Sequence, residues 1–227
     1  MATSCASSGS ESTNSCGRRF NRQRVTDASI APTEVAANQR WRLLGAATEV
    51  FAEEGRLGTT STAVARRAGV SPATFYKHFD NISACLLAAY EISAESLLEA
   101  VAAGCRERGL PWPRRLREAI GSALRFLAAE PAIAATLGAA APAAEPTIAT
   151  AHQRLVEQLA DMLSEGRELR PADAGPLPEG GEEMLVSGAL TLVSDRVEAG
   201  DCERLPELTS GLVELFETSV STRAAAA

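Results

Sequence analysis

Hydrophobic residues recur along most of this chain at the three- to four-residue spacing of amphipathic helices. Between 38 and 55 the apolar positions follow the stripe of a helix that faces a core: Leu43, Leu44, Ala47, Val50 and Phe51. Similar stripes predict helices at 82–103, 114–129, 148–168, 182–199 and 204–222, with a short alanine-rich helix after residue 131. Breaks rich in Gly and Pro separate several of them, at 109–113, 138–146 and 170–181. The pattern predicts an all-α protein.

Residues 59–79 predict two short helices joined by a tight turn. Thr60 or Ser61 can cap the first helix, and Gly69 ends it where a left-handed backbone is needed. Ser71 can cap the second helix, and Pro72 then occupies its first position, where a missing N–H costs nothing. The stretch is typical of a helix-turn-helix.

The second of these helices presents a face that carries no acidic residue. Phe75 and Phe79 are four residues apart, so both point towards the first helix. The other side is formed by Ala73, Thr74, Tyr76, Lys77 and His78. A helix with such a face fits the major groove of DNA. The alternative is an ordinary helical hairpin in an all-α domain.

Several spaced motifs between Arg40 and Tyr90 carry a family resemblance. They are Phe51-x3-Gly55-x3-Thr59-Thr60, Ala65-x2-Ala68-Gly69-Val70-Ser71, Thr74-Phe75-Tyr76-x2-Phe79 and Leu86-Leu87. This region resembles the N-terminal domain of the TetR/AcrR family of one-component repressors. The resemblance implies an all-α homodimer that binds a palindromic operator and is released by a small ligand. It implies an N-terminal three-helix DNA-binding domain, followed by a helical ligand-binding and dimerisation domain.

On this basis we divide the chain into three parts. Residues 37–83 are the predicted DNA-binding domain, and residues 84–227 the ligand-binding and dimerisation domain. Residues 1–36 are rich in Ser, Thr, Gly and Asn and predict a disordered N-terminal arm. Its four arginines, at 18, 19, 22 and 24, suit an arm that follows the minor groove or the phosphates. A solvated tail, or an artefact of start-codon choice, is the alternative.

The predicted DNA contacts are Thr60, Ser61, Ser71, Ala73, Thr74, Tyr76, Lys77 and His78. Thr74 and Lys77 are the candidates for base edges, and Ala73 for a thymine methyl group. The resemblance implies phosphate contacts for Tyr76 and His78. Hydroxyls at the start of the first helix suit a phosphate oxygen, although the same hydroxyls are needed as caps.

The chain departs from the family pattern at the start of the next helix. Ile82 stands where the family usually has a lysine, and Ser83 where it has an acidic residue. That lysine commonly meets a phosphate, so fewer backbone contacts are expected here. Arg66, Arg67 or the arm could compensate, and Ile82 could instead pack against the body.

Charge is distributed unevenly along the chain. Residues 1–80 contain ten basic and seven acidic residues, a net charge of +3, whereas residues 81–227 contain twelve and twenty-two, a net charge of −10. A mildly basic N-terminal part followed by an acidic remainder suits a protein that binds DNA through its N-terminal part only.

Cysteine usage and the N-terminal sequence favour a cytoplasmic protein. The five cysteines are odd in number, form no CxxC pair and accompany only two histidines, so we expect neither a zinc site nor a cofactor. Reduced thiols are the default, and a redox switch through Cys85 or Cys105 is the alternative. The N-terminus lacks the apolar core of a signal peptide. No run approaches the ~20 apolar residues of a membrane span.

Small residues beside large ones in the last two helices predict a four-helix dimer interface with a second copy. The alternative is that both helices only close the core of the monomer. The resemblance places a ligand pocket in the second domain. Its candidate residues, each of which could equally be core, are Tyr90, Trp112, Phe126, His152 and Met162. Low aromatic content and few ionisable groups there predict a mainly apolar effector.

Two other classes of protein were weighed. An enzyme is disfavoured, because none of G-x-S-x-G, H-E-x-x-H, G-x-G-x-x-G or a P-loop occurs and His152 alone is left for a catalytic role. A constitutive DNA-binding regulator or adaptor without an inducer stays open, since a ligand pocket has no linear motif.

Overall fold

The computed structural model describes residues 32–106, 109–138, 146–167 and 177–221. Within these ranges the chain is all-helical and contains no strand, so the predicted fold class is confirmed. The α-helices are α1 Pro32–Gly58, α2 Ser61–Ala68, α3 Pro72–His78, α4 Ile82–Gly104, α5 Trp112–Ala129, α6 Pro131–Leu137, α7 Pro146–Arg167, α8 Gly181–Glu198 and α9 Thr209–Ser221. A 3-10 helix, Cys202–Leu208, precedes α9.

Helix α1 begins earlier than the hydrophobic stripe predicted. It starts at Pro32, where the proline ring already holds the helical φ angle, and Glu34 lies in its first turn. Residues 32–36, predicted to be disordered, are therefore helical. The rest of the predicted arm, with its four arginines, lies outside the described residues. The predicted stop at Gly55 is a break in the helix, with φ of 64°.

Local side-chain and backbone signals define both ends of the helix-turn-helix as predicted. Thr60 caps α2, accepting a hydrogen bond from the Ala63 backbone N–H at 3.2 Å. Gly69 ends α2 with φ of 65°, in the left-handed region that glycine adopts at little cost. Ser71 caps α3 in the same way, accepting from the Thr74 N–H at 3.1 Å. Each such cap stabilises its helix by about 1 kcal/mol.

One apolar core holds α1, α2 and α3 together. Leu43 and Leu44 from α1, Val64 from α2 and Phe75 from α3 are at most 1% exposed. Phe79 is buried as well, and the Arg40 guanidinium lies 4.5 Å from the centre of its ring. Truncating a buried phenylalanine such as Phe75 to alanine costs about 3–5 kcal/mol. The core fixes the position of α3, although that helix has only seven residues.

Helix α4 joins the helix-turn-helix to the rest of the molecule. Asn81 caps it, accepting from the Ala84 N–H at 2.8 Å as predicted. Its first half packs into the core shared with α1 through Cys85, Leu86 and Ala89. At 1.5 Å per residue, its 23 residues span about 34 Å. A single helix thus runs from the turn after α3 to the far end of the body.

Helices α5 to α9 form the body, with boundaries close to those predicted. Trp112 begins α5 two residues early, because Pro113 is tolerated in a first turn. The predicted last helix, 204–222, is wrong at its start. Pro206 lacks a backbone N–H, and the segment around it is a 3-10 helix before α9 begins at Thr209. The predicted connections at 138–146 and 170–181 lie largely outside the described residues.

No single helix in the described part of the chain is long and apolar enough to cross a membrane. Helices α5 and α6 have the length and apolar composition of a membrane span only when they are taken together, and the chain bends by 110° between them.

Candidate DNA-binding surface and ligand cavity

The outer face of α3 is exposed and free of acidic side chains. Ala73, Tyr76 and Lys77 lie on this face, with Tyr76 57% exposed. Phe75 points the opposite way into the core, and its ring meets that of Tyr76 edge-on at 5.3 Å between centroids. The outer face of α3 is therefore supported by the packing of the buried Phe75 ring against Tyr76.

Hydroxyl groups link this face to the cap of each helix. The Tyr76 hydroxyl lies 3.0 Å from Ser61 Oγ, which connects α3 to the start of α2. Thr74 is half-buried, and its hydroxyl lies 2.9 Å from Ser71 Oγ. Thr60, the cap of α2, is exposed beside them. The structure thus brings four of the eight predicted DNA-binding residues together in pairs, Ser61 with Tyr76 and Ser71 with Thr74.

His78 is turned towards α1 rather than fully outwards. Its Nε2 atom lies 3.4 Å from Gln39 Oε1, and its backbone carbonyl accepts from Arg40 at 3.3 Å. Burial, with the nearby charges of Arg40 and Lys77, lowers the pKa of His78 below its usual value. The imidazole is therefore neutral at pH 7 and offers no positive charge to a phosphate.

Both arginines in α2 are exposed, but Arg67 is paired with acidic residues of its own domain. Its guanidinium bonds the carboxylates of Glu49, at 3.2 Å, and Glu53, both on α1. These partners raise the pKa of Arg67, and Arg67 lowers the pKa of Glu53. Arg67 is thus a poor substitute for the missing lysine.

Ile82 contributes to packing at the start of α4. It is half-buried and contacts the main hydrophobic core. The sequence left this packing role open as an alternative to a position at the DNA. A lysine at this position would lose that contact.

A cavity of about 140 Å³ lies within the body, between α4, α5, α7, α8 and α9. Its wall is almost entirely aliphatic, with Leu97 and Val101 from α4 and Leu116 and Leu124 from α5. Such a concave, apolar site is the usual form of a small-molecule pocket.

Two of the five predicted ligand residues, Trp112 and Met162, line this cavity. Tyr90 and His152 do not; the Tyr90 hydroxyl lies 2.8 Å from His152 Nδ1, so each satisfies the other. Phe126 is buried elsewhere in the core, at 7% exposure. Sequence periodicity placed Tyr90, Phe126 and His152 in the interior, but it could not show which interior residues line the same cavity.

Sequence reasoning missed Arg115, which also lines the cavity. The signal was present, because the lining positions of α5 repeat at helical spacing and Arg115 is one of them: 112, 115, 116, 119, 120, 123, 124 and 127. A charged residue within an apolar stripe marks a position where a partner is expected.

The alternative of a redox switch loses support at Cys85. Its side chain is fully buried, and burial raises the pKa of its thiol to about 12. The pKa of Cys105 is raised as well, mainly by burial. Because the thiolate is the reactive form, neither thiol is activated.

The last two α-helices expose apolar side chains on their outer faces. On α8, Met184 is 73% and Leu192 37% exposed, and Gly188 between them faces open space. On α9, Leu215 is 45% exposed and lies one turn from Gly211, which also faces open space. Other residues of these helices, such as Val193 and Phe216, point into the core. The two helices therefore have both an inner and an outer apolar face.

Comparison with known proteins supports the geometry. Residues 43–89 match the family model described as bacterial regulatory proteins, tetR family. No curated protein matches the chain.

Solved structures resemble the whole fold. The chain is similar to a TetR-like transcriptional regulator from Rhodococcus sp. RHA1 (TM-score 0.57, 23% identity, 84% of this chain and 98% of that one). It is also similar to FadR from Bacillus subtilis in complex with stearoyl-CoA (TM-score 0.65, 19% identity, 79% and 98%). A third similar structure is a Salmonella enterica GusR (TM-score 0.60, 19% identity, 85% and 99%). These TM-scores show a shared fold.

The fold and the matched domain define the class, an all-α transcriptional regulator with an N-terminal helix-turn-helix. Within that class, residues 43–89 match the tetR family of bacterial regulatory proteins, as the motifs predicted.

Proposed function

We propose that this protein is a repressor of nearby genes that leaves a palindromic operator when a small, mainly apolar ligand binds. The observation that carries the proposal is the outer face of α3, which is exposed, free of acidic groups and fixed by the buried Phe75. A seven-residue helix held in this way can enter the major groove without first becoming ordered.

Within this proposal each side chain on the face has a role. Lys77 donates to guanine, Ala73 contacts a thymine methyl group, and Thr74 offers its hydroxyl to a base edge. Tyr76, held by Ser61, binds phosphate, as do Thr60 and Ser61 at the start of α2. Ser71 orients Thr74 and lies at the edge of the contact. His78 contributes as a neutral hydrogen-bonding group, given its lowered pKa.

A homodimer formed through α8 and α9 would supply the second α3. The exposed Met184, Leu192 and Leu215 need a cover, and the open glycines Gly188 and Gly211 allow two helices to approach closely. A two-fold axis through this surface would pair two copies of α3 with successive major grooves, about one helical turn apart. The operator would then be a palindrome.

Ligand control would act through α4. Its first half belongs to the core of the helix-turn-helix, and Leu97 and Val101 in its second half line the cavity. A ligand that binds one orientation of α4 more tightly would favour that orientation and so change the spacing of the two α3 helices. The difference in affinity for the two states sets how far the population shifts. The FadR relative that was solved with stearoyl-CoA supports a small-molecule site in this fold. We place the domain boundary at residues 83 and 84, at the start of α4.

Selection of bound duplexes from random double-stranded DNA tests the proposal. The expected product is an inverted repeat whose half-sites are centred about 10 base pairs apart, or a multiple of that. Recovery of no enriched sequence would contradict an operator-binding function. An inverted repeat whose binding no small molecule changes would favour the alternative, a constitutive regulator or adaptor without an inducer.

A further inference from the structure

The wall of the cavity contains one cation in an otherwise apolar surface. Of the described residues that line it, Arg115 alone carries a charge. Its Nε atom is buried and has no hydrogen-bond partner within the described part of the chain. A buried donor left unpaired is unfavourable by about 1–3 kcal/mol. Water, an ion or a bound molecule can supply the missing partner of such a group.

The start of α5 around Arg115 is basic, and Glu118 is the one acidic residue in the first two turns of the helix. The first turns of α5 carry Arg114, Arg115 and Arg117, with no acidic residue in the first turn and no side-chain cap. This is the reverse of the usual bias, because the N-terminal end of a helix is already positive. In the described ranges no carboxylate forms an ion pair with Arg115. The polar neighbour is the Cys105 thiol, which cannot balance a full charge.

The part of the cavity wall that α5 contributes is extended, and its charged residue is near one end. Along α5 the lining residues run from Trp112 to Leu127, which are about 22 Å apart along the helix axis at 1.5 Å per residue. Arg115 lies in the first turns, where Cys105 ends α4. Beyond it the wall of α5 contains only leucine, isoleucine and alanine.

We propose that the ligand is an amphipathic carboxylate, an unbranched apolar chain whose carboxylate is bound by Arg115 at the start of α5. The planar guanidinium fork matches a carboxylate through two parallel hydrogen bonds. The apolar chain extends along α5 between α4, α7, α8 and α9. This inference rests on the ligand-controlled function proposed above, and it names the chemical class that the cavity selects.

Calorimetric titration of the full-length protein with three probes that share a ten-carbon chain tests the inference. Decanoate is the anion, 1-decanol its uncharged match and decyltrimethylammonium its charge-reversed match. Decanoate is expected to bind most tightly, and Arg115→Gln to weaken it roughly tenfold or more, the effect typical of breaking a buried charge pair. The same variant should change 1-decanol binding by less than about threefold, and Arg115→Lys should restore part of the decanoate affinity.

Arg114→Gln is the matched control, since Arg114 is exposed, adjacent in sequence and absent from the cavity wall. Its decanoate affinity should equal that of the wild type. Equal binding of decanoate and 1-decanol by the wild type would overturn the inference, as would equal losses for both probes in Arg115→Gln. Failure of all three probes to bind the wild type would overturn it too.

The comparison of the three probes on the wild-type protein tests the inference even if the Arg115 variants fold poorly. Operator binding is measured separately and without ligand, so loss of this inference leaves the DNA-binding function intact. Decanoate that binds through Arg115 without releasing the operator would support the ligand class and contradict the release mechanism.

Discussion

Lys77 is the only lysine of the chain, and it is exposed on the outer face of α3 beside Tyr76. Its charge is available, whereas that of Arg67 is engaged by Glu49 and Glu53. The same contrast applies to the two histidines, which are half-buried and neutral at pH 7 because burial lowers the pKa of each. At the scale of single residues, function depends on which polar groups the fold leaves unpaired.

We expect Lys77→Ala to weaken specific binding to the operator by about 1–3 kcal/mol, because a contact to a base edge is lost. Tyr76→Phe removes only a hydroxyl and should weaken binding to all DNA sequences alike. Fluorescence anisotropy with operator and scrambled duplexes measures both effects. Unchanged operator affinity in Lys77→Ala would remove Lys77 from the recognition surface.

His152 should make stability depend on pH. Burial lowers its pKa, so the folded state favours the neutral imidazole, while the unfolded chain titrates near the usual value of about 6.5. The stability that this group contributes is full above that value and is lost as the pH falls through it. Melting temperatures between pH 7.5 and 5.5 should therefore fall more for the wild type than for His152→Gln.

Tyr90→Phe is the control for this pH effect. It removes the hydroxyl that lies 2.8 Å from His152 Nδ1 but leaves the imidazole buried. The variant should be less stable than the wild type and retain the pH dependence. An equal fall in melting temperature with pH for the wild type and His152→Gln would contradict this account.

At the scale of helices, local signals predicted most boundaries. Thr60, Gly69, Ser71 and Asn81 each act as the cap or stop that the sequence predicted. The errors are at prolines, since Pro32 begins a helix earlier than the hydrophobic stripe does and Pro206 lies within a 3-10 helix. Proline marks a boundary without specifying which side of it is helical.

The cavity was harder to predict, because its wall combines residues from five helices. Spacing within α5 identifies an inner face but cannot distinguish a position on the cavity, such as Trp112, from one in solid core, such as Phe126. That distinction depends on how α4, α7, α8 and α9 pack around it. Arg115 is the exception, because its charge could have marked it in the sequence alone.

The outer faces of α8 and α9 lead to a prediction about assembly. Leu215→Glu places a charge within the proposed dimer interface and should shift the protein from dimer to monomer, since a buried unpaired charge is unfavourable by several kcal/mol. Sedimentation equilibrium measures the change. Leu57→Glu is the matched control, because Leu57 is 97% exposed and lies outside α8 and α9. Equal dimerisation of both variants would place the interface elsewhere.

At the scale of the whole molecule, charge is segregated. The first 80 residues have a net charge of +3, and the remainder a net charge of −10. An acidic body disfavours non-specific wrapping of DNA and leaves the helix-turn-helix as the approach surface. In the proposed complex, Ile82 and Arg67 contribute little to contacts with the DNA backbone, because Ile82 packs against the core and Arg67 is paired within the domain. Affinity must then depend largely on α3 and the start of α2.

Binding of the purified protein to the intergenic DNA beside its own gene, titrated with salt, tests the central claim most directly. The account predicts tight binding to one palindrome, at least about 10³-fold above random DNA, with an affinity that falls as salt rises. The salt dependence should be shallow, since the proposed phosphate contacts are made by hydroxyl groups and not by Lys or Arg side chains. Weak binding that is equal on every duplex would contradict the claim that α3 recognises an operator.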